Sequence, residues 1–281
     1  MHPVNVLRYR TDEPLVEAPD ELATEEPLEI RVRGRAVTVT MRTPGEDADL
    51  AAGFLLTEGL IRSAADVVRI ATCPRSEEGN RIDVTLAPDV VVDFEKLTRH
   101  VFASSSCGLC GKATIESVRG TFAAVTSDAR VEAGRLMRMV EAMRAAQGTF
   151  ARTGGLHAAA LFDADGNLLV LREDIGRHNA VDKVLGFALM RRWLPLDRHV
   201  LLVSGRSSFE IMQKALAGGV AVVAAVSAPS SLAVEFARGN GQTLIGFLRE
   251  GRMNVYASPQ RVVFPPAAAD PAKHLVHGAV D

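Results

Sequence analysis

The first hundred residues show an alternation of apolar and polar side chains that predicts short β-strands. Apolar residues recur at every second position on both sides of Arg33-Gly34, from Ile30 to Arg42, which is typical of a β-hairpin. One helix and two further strands are predicted at Glu46–Leu60, Val67–Ala71 and Ile82–Leu86. These elements predict a small α+β domain within residues 1–100. Residues 1–26 are acidic and lack a clear period, and we expect them to form a loose arm.

A different pattern begins near residue 131 and predicts a larger α/β domain over residues 119–265. Apolar residues have helical spacing across Val131–Gln147, and downstream, short continuous apolar segments alternate with helical ones, as buried strands and helices do in layered domains. The predicted strands are Leu156–Phe162, Leu168–Leu171, Val200–Val203, Val220–Val226, Thr243–Leu248 and a hairpin strand within Gly251–Ala257. The predicted helices are Val181–Leu189, one capped by Ser207 or Ser208 that ends near Ala217, and Leu232–Ala237. The Ala- and Pro-rich tail, residues 266–281, is predicted to be disordered.

The segment between these domains, residues 101–118, has no helical or strand period and carries two of the three cysteines. It contains Ser104-Ser-Ser-Cys-Gly-Leu-Cys-Gly-Lys112, so Cys107 and Cys110 lie three positions apart. Its glycines remove side-chain bulk beside the sulfurs, and Lys112 favours the thiolate over the thiol. We therefore predict a flexible loop with sulfur chemistry of a redox, metal or carrier kind.

The residues alone leave these sulfur chemistries open. A zinc site would take Cys73, Cys107, Cys110 and His157, although neither a second Cys-x-x-Cys nor a closely spaced histidine pair is present. A thioredoxin-like site needs a strand that leads into a helix at the motif, whereas a serine-rich loop precedes Cys107. Zinc deaminase chemistry is excluded, because Ala158-Ala159 follows His157 where that reaction needs a glutamate.

Composition and charge narrow the class of protein. The chain has 281 residues, 47% of them hydrophobic and 23% charged, which is enough for a substantial core. Its 34 acidic and 32 basic residues give a net charge of −2, so no basic surface for nucleic acid or membrane is expected. The first residues lack the apolar core of a signal peptide, and no apolar run is long enough for a membrane helix. With three cysteines we expect no disulfide framework and a cytoplasmic location.

Three polar turns predict a cleft for a phosphate-bearing, nucleotide-like molecule. Leu171–Lys183 places Arg177 and His178 at the start of a helix, which suits an anion. Ser204-Gly-Arg-Ser-Ser208 joins a buried strand to a helix, and Phe247–Arg252 ends a strand with two arginines. Ligands of open α/β sheets collect at the carboxyl ends of strands, so we expect these turns to form one site.

Four motifs occur in a fixed order along the chain: Ser106-Cys-Gly-Leu-Cys-Gly-Lys112, Thr153-Gly-Gly-Leu-His-Ala158, Glu173-Asp-Ile-Gly-Arg-His-Asn-Ala-Val-Asp-Lys183 and Ser204-Gly-Arg-Ser-Ser208. In order and spacing they resemble those of the FdhD/NarQ family, the formate dehydrogenase accessory proteins. Ser227–Val234 and Asn254–Tyr256 continue the resemblance, which covers about residues 30–260.

The resemblance implies a cytoplasmic sulfur carrier, a sulfurtransferase that accepts persulfide sulfur from a cysteine desulfurase. The resemblance also implies that this sulfur is delivered to the molybdenum cofactor, a bis-molybdopterin guanine dinucleotide. Delivery would take place before the cofactor is inserted into formate dehydrogenase, and formate dehydrogenase activity would require it. The persulfide would form on Cys107, with Cys110 as its partner thiol and no resident metal. The alternatives are a cofactor-binding chaperone with structural or zinc-binding cysteines, and a dithiol oxidoreductase.

The resemblance also implies a fold, an oligomeric state and a set of cofactor contacts. The larger domain would be a three-layer α/β domain similar to the cytidine-deaminase fold without its zinc site, and the protein would form a homodimer. The implied cofactor-binding residues are Phe247, Leu248, Arg249, Glu250, Gly251 and Arg252. Ser204, Gly205, Arg206, Ser207, Arg177 and His178 are secondary candidates because of their placement in the polar turns.

Overall fold

The structure is a computed structural model that describes residues 1–73, 79–92, 94 and 122–266. The predicted flexible loop with Cys107 and Cys110, and nearly all of the predicted disordered tail, lie outside these residues. The strands are β1 (His2–Arg8), β2 (Val16–Leu22), β3 (Glu26–Val32), β4 (Arg35–Arg42), β5 (Val67–Thr72), β6 (Arg81–Leu86), β7 (Val131–Glu132), β8 (His157–Phe162), β9 (Leu168–Asp174), β10 (Val200–Val203), β11 (Val222–Ala225), β12 (Thr243–Arg249), β13 (Arg252–Ala257) and β14 (Val262–Val263). The helices are α1 (Asp47–Thr57), α2 (Ala133–Ala146), α3 (Gly148–Thr153), α4 (Arg177–Met190), α5 (Phe209–Ala217) and α6 (Ser231–Gly239).

The expectation of a loose arm in residues 1–26 is wrong. Strands β1 and β2 pair along their whole length as an antiparallel ribbon, from His2 opposite Leu22 to Arg8 opposite Val16. The period is weak in the sequence because neither face of the ribbon is fully buried: Leu7 and Leu22 are 70% and 49% exposed, and Val4 and Val6 are only partly buried.

The predicted hairpin and strands of the N-terminal region are confirmed. Strands β3 and β4 pair antiparallel around Arg33 and Gly34, whose φ angles of 50° and 78° are both left-handed, as a tight two-residue hairpin turn requires. The four-stranded sheet has the order β4-β3-β6-β5, with β3 and β6 parallel. Its inner face buries Leu28, Ile30 and Val32 against α1.

The predicted α/β layering is confirmed in a six-stranded mixed sheet of order β13-β12-β11-β10-β8-β9. Strands β10, β11 and β12 are parallel and are connected through α5 and α6, whereas β8, β9 and β13 supply antiparallel pairings. One face of the sheet packs with α2 through Leu136, Met139 and Met143. The opposite face packs with α4, α5 and α6. The similarity to the cytidine-deaminase fold stays a prediction.

Helices α1 and α4 join the two sheets. A Cβ atom on Gly53 would lie 1.8 Å from the carbonyl oxygen of Asp182, and one on Gly186 would lie 1.9 Å from that of Asp49. The helices therefore touch backbone to backbone, and residues of both sheets belong to one hydrophobic cluster. The division into two domains stays a prediction. None of the helices in the described ranges has both the length and the apolar composition to cross a membrane.

Candidate functional site

Three turns follow the parallel strands β10, β11 and β12 and are linked by backbone contacts at one edge of the sheet. The amide of Ser230 donates to the carbonyl of Ser207 at 3.0 Å, and Ser207 also forms an isolated β-bridge with Pro229. The amide of Phe247 donates to the carbonyl of Ser227 at 3.1 Å. The structure therefore brings the polar turns at Ser204–Ser208 and Phe247–Arg252 to the same sheet edge, with residues 227–230 between them.

The start of α4 lies against the first of these turns. A Cβ atom on Gly205 would lie 3.3 Å from Nδ1 of His157 and 3.8 Å from Cδ of Arg177. Ser204 ties the same turn to β8, because its Oγ accepts a hydrogen bond from the amide of Ala158 at 2.9 Å. A side chain at position 205 would press on His157, and glycine lets the turn approach the two basic side chains closely.

Asp174 shapes the turn that carries Arg177 and His178. Its fully buried carboxylate accepts hydrogen bonds from the amide of Gly176 at 2.8 Å and from Nδ2 of Asn179 at 3.0 Å. It also accepts from the amide of Thr43 at 3.2 Å and forms a 2.9 Å ion pair with Lys183. These partners fix the first turn of α4 to the end of β4 in the N-terminal sheet.

Several polar atoms at this edge are buried without a partner. Among the residues that the structure describes, Nε of Arg177, Nε2 of His178, Oγ of Ser207 and Oγ of Ser208 accept or donate no hydrogen bond. Ser208 occupies the N-cap position of α5, as predicted, but its hydroxyl makes no cap hydrogen bond. Unpartnered buried polar groups cost stability, so we expect ordered water or a bound molecule to pair with these atoms.

The two histidines at the site are held in the neutral form. Burial, followed by the positive charges of Lys214 and Arg177 and the neighbouring His157, lowers the pKa of His178 to about 3. Burial and Arg177 also lower the pKa of His157, although Asp174 opposes this shift. At neutral pH, Arg177 is therefore the permanent charge of this group, and the imidazoles act as neutral hydrogen-bonding groups.

Two cavities meet at His157. The first, about 270 Å³, lies between the end of β4 and the start of α4 and is lined by Thr40, Met41, Arg177 and His178. The second, about 640 Å³, lies between the α2–α3 region and the carboxyl ends of β10 and β11. Together they give room for separate parts of an elongated ligand.

The remaining predicted site residues lie in different environments. Arg206 is exposed, Ser207 is fully buried, and Phe247 is 38% exposed with a left-handed φ of 52°. Leu248 is fully buried in the core cluster on the α2 face of the sheet, so its side chain presents no surface to a ligand. Arg249, Glu250, Gly251 and Arg252 form the exposed turn between β12 and β13. Their assignment to a cofactor stays a prediction.

The structure adds residues that the sequence analysis did not place at the site. His157 was considered only as a zinc ligand, although the motif that contains it gave a signal for a functional role. Glu25, Thr40 and Met41 line the smaller cavity from the N-terminal sheet, and no sequence motif marks them.

Cys73 is a free, half-buried cysteine at the end of β5. In the described ranges no cluster of three or more His, Cys, Asp or Glu side chains is arranged to hold a metal ion.

The chain is similar to proteins named as sulfur carriers. Sulfur carrier protein FdhD of Mycobacterium tuberculosis is 52% identical over 266 residues, which cover 91% of this chain and 96% of that protein. Its namesake from Mycolicibacterium paratuberculosis is 55% identical over 251 residues, or 87% of this chain and 92% of that protein. A solved structure from Desulfotalea psychrophila, named as a candidate formate dehydrogenase accessory protein, superimposes with a TM-score of 0.74 and 26% identity. That match covers 94% of this chain and 98% of the solved one. A family model matches residues 23–263, and the chain therefore belongs to the FdhD/NarQ family.

Proposed function

We propose that this protein is a sulfur carrier that supports formate dehydrogenase. The observation that carries the proposal is the 52% identity, over nine-tenths of the chain, to a protein named sulfur carrier FdhD. The sequence supplies the chemistry that this function needs, a pair of cysteines at positions 107 and 110. The proposal includes a cysteine desulfurase as donor, formate dehydrogenase as client, a homodimeric protein and a cytoplasmic location.

The loading step is a thiolate attack on a persulfide. The Cys107 thiolate attacks the terminal sulfur of the desulfurase persulfide, the donor S–S bond breaks, and the desulfurase cysteine leaves as a thiolate. A new S–S bond then joins the transferred sulfur to Cys107. Lys112 supports this step because a nearby cation raises the thiolate fraction of a cysteine.

The delivery step releases the carried sulfur as hydrosulfide. The Cys110 thiolate attacks the Cys107 sulfur, a disulfide forms between the two cysteines, and the terminal sulfur leaves with both electrons. The acceptor, the molybdenum cofactor, would take up the hydrosulfide in place of an oxygen, which would leave as water after taking one proton from the solvent. A dithiol reductant then returns Cys107 and Cys110 to thiols for the next cycle.

Three features of the edge formed by α4, α5 and the strands β10 to β12 support the proposal that this anionic acceptor binds there. The starts of α4 and α5 carry a partial positive charge, and Arg177 adds a full one. The unpartnered atoms of Arg177, His178 and Ser207 would pair with phosphate oxygens or base edges of the cofactor. The two cavities that share His157 would receive different parts of the dinucleotide.

Complementation in cells tests the function as a whole. In a bacterium that lacks its own sulfur carrier for formate dehydrogenase, the wild-type chain is expected to restore formate oxidation in cell extracts. Cys107→Ser is expected to abolish the activity, while the matched control Cys73→Ser keeps it. Equal activity from the Cys107→Ser chain would contradict the carrier role and favour a cofactor-binding chaperone.

A further inference from the structure

A second buried ion pair lies one turn further along α4 from the candidate site. Nζ of Lys214 on α5 lies 2.7 Å and 2.9 Å from the two carboxylate oxygens of Asp182 on α4. Thr57, the last residue of α1, completes the cluster, because its hydroxyl donates to Asp182 at 2.9 Å. Asp182 is 2% exposed and Lys214 is 8% exposed. Three helices therefore meet at one buried charged group.

Stability alone gives a weak reason for this ion pair. Desolvation of two buried charges offsets much of their attraction, and replacement of such a pair by apolar residues often leaves stability unchanged or raises it. The same three helices bury apolar side chains two or three positions from the pair and from Thr57, namely Leu55, Leu185 and Ile211, in one core cluster. The Thr57 hydroxyl accepts from Nζ of Lys214 at 3.0 Å, but it also has the carbonyl of Phe54 at 3.3 Å as an acceptor that remains when the pair is removed.

The position of the pair connects it to His178. Asp182 lies four residues after His178, which places both on the same side of α4. Strands β9 and β10 each pair antiparallel with β8 and so run in the same direction, and α4 and α5 begin at their carboxyl ends. The Asp182–Lys214 contact thus fixes the starts of the two helices relative to each other. Lys214 is also the strongest electrostatic influence on His178, ahead of Arg177 and His157.

We propose that Asp182 and Lys214 are positioning residues that hold the His178 imidazole at the edge of the cleft, with its Nε2 available to a bound ligand. The pair acts through helix geometry and, by this account, does not touch the ligand. The ligand part of this inference rests on the proposed function, whereas the orientation of His178 does not.

A double substitution to apolar residues separates positioning from stability. Asp182→Leu with Lys214→Met removes both charges and replaces the ionic contact with an apolar one, so we expect the thermal midpoint to stay equal or to rise. The probe is GDP, which carries the guanine and diphosphate groups of the proposed acceptor, and its affinity is measured by calorimetry. We expect binding to weaken about ten-fold, as is typical when an outer-shell partner of a site is lost.

The imidazole nitrogen resonances of His178 give a readout that a purely structural pair would not move. The experiment uses protein labelled with nitrogen-15 at its histidines, and the His178 resonances are assigned by their absence from the spectrum of His178→Gln. In the wild type we expect His178 to give one sharp pair of nitrogen resonances, at the positions of a neutral imidazole. The double variant is expected to broaden these His178 resonances, which loss of the Lys214 charge alone would not do, and to leave the resonances of the distant His2 and His199 unchanged.

A second double variant, Asp182→Asn with Lys214→Gln, replaces both charges with neutral amides. We expect the same weakening of GDP binding and the same change in the His178 resonances as in the first double variant. Unchanged His178 resonances in a folded variant overturn the inference. If wild-type protein binds no GDP, the acceptor assignment fails, and the His178 resonances still decide the positioning role.

Discussion

The Asp174 carboxylate connects three parts of the chain. It accepts hydrogen bonds from Gly176 and Asn179 at the start of α4 and from the amide of Thr43, just after β4, and it forms an ion pair with Lys183. Both members of the Asp174–Lys183 pair are fully buried. The sequence motif predicts a functional role for this segment, and the structure shows that Asp174 fixes its backbone. Its place is to shape the backbone that presents Arg177 and His178.

Loss of the Asp174 carboxylate is expected to be costly. Asp174→Ala removes the buried 2.9 Å partner of the Lys183 ammonium and leaves only the half-exposed carboxylate of Glu46, 4.0 Å away, as a counter-ion, so we expect the free energy of unfolding in urea to fall by about 3–5 kcal/mol. Asp128→Ala is the matched control, because the Asp128–Arg198 pair has nearly the same distance, 3.0 Å, but both side chains are exposed. That change is expected to cost less than about 1 kcal/mol. Similar losses from both substitutions would contradict the role of burial.

His178 is expected to make the protein sensitive to acid. The unfolded chain carries a histidine with a pKa near 6.5, whereas the folded chain holds the pKa of His178 at about 3. Below about pH 6.5 only the unfolded chain takes up this proton, so the contribution of His178 to stability is present above that pH and declines as the pH falls. When the pH is lowered from about 7.5 to about 5, the free energy of unfolding is expected to fall in both proteins. The fall is expected to be about 1–2 kcal/mol smaller for His178→Gln than for the wild type. An identical decline in both proteins, measured by urea unfolding, would show that His178 is not the responsible group.

Among the elements, the contact between α1 and α4 depends on two glycines. A methyl group at Gly53 or Gly186 would lie less than 2 Å from a backbone oxygen of the other helix, and backbone atoms have little freedom to move away. Gly53→Ala and Gly186→Ala are each expected to lower the free energy of unfolding by at least about 1–3 kcal/mol. Gly134→Ala in α2 is the matched control, since the nearest atom to its Cβ would be the end of the Arg138 side chain at 3.6 Å. The Gly134→Ala control is expected to leave the free energy of unfolding unchanged or to raise it by up to about 1 kcal/mol. If Gly134→Ala lowered the free energy of unfolding as much as Gly186→Ala does, the close-contact explanation would be contradicted.

Elements that are buried on one or both faces could be predicted from the sequence. Strands β10 and β11 were recognised by continuous apolar residues, and the β3–β4 hairpin was recognised by alternation around Arg33-Gly34. The β1–β2 ribbon could not be predicted because none of its residues is fully buried, so its one-sided pattern is weak. Leu248 shows that a motif does not reveal which way a side chain faces. Its place in the Phe247–Arg252 segment predicts a ligand contact, but its position along β12 buries the side chain in the core.

At the scale of the whole molecule, the site depends on contacts between residues more than one hundred positions apart. The amide of Thr43 binds Asp174, and Thr40 and Met41 line a cavity with His178. Sequence motifs could identify the α4 and β10 sides of this cleft because their residues are consecutive. The β4 side could not be predicted, because the backbone contact of α1 with α4 that places it there has no local signal in the sequence.

The central claim, that sulfur travels on Cys107, is tested most directly by the intact mass of the protein after incubation with a cysteine desulfurase and cysteine. We expect the wild-type chain to gain the mass of one sulfur atom, and a thiol reductant to remove it. Cys107→Ala is expected to gain none, whereas Cys73→Ala is expected to load like the wild type. A wild-type chain that gains no sulfur and holds stoichiometric zinc would contradict the carrier account, as would a Cys107→Ala chain that loads fully.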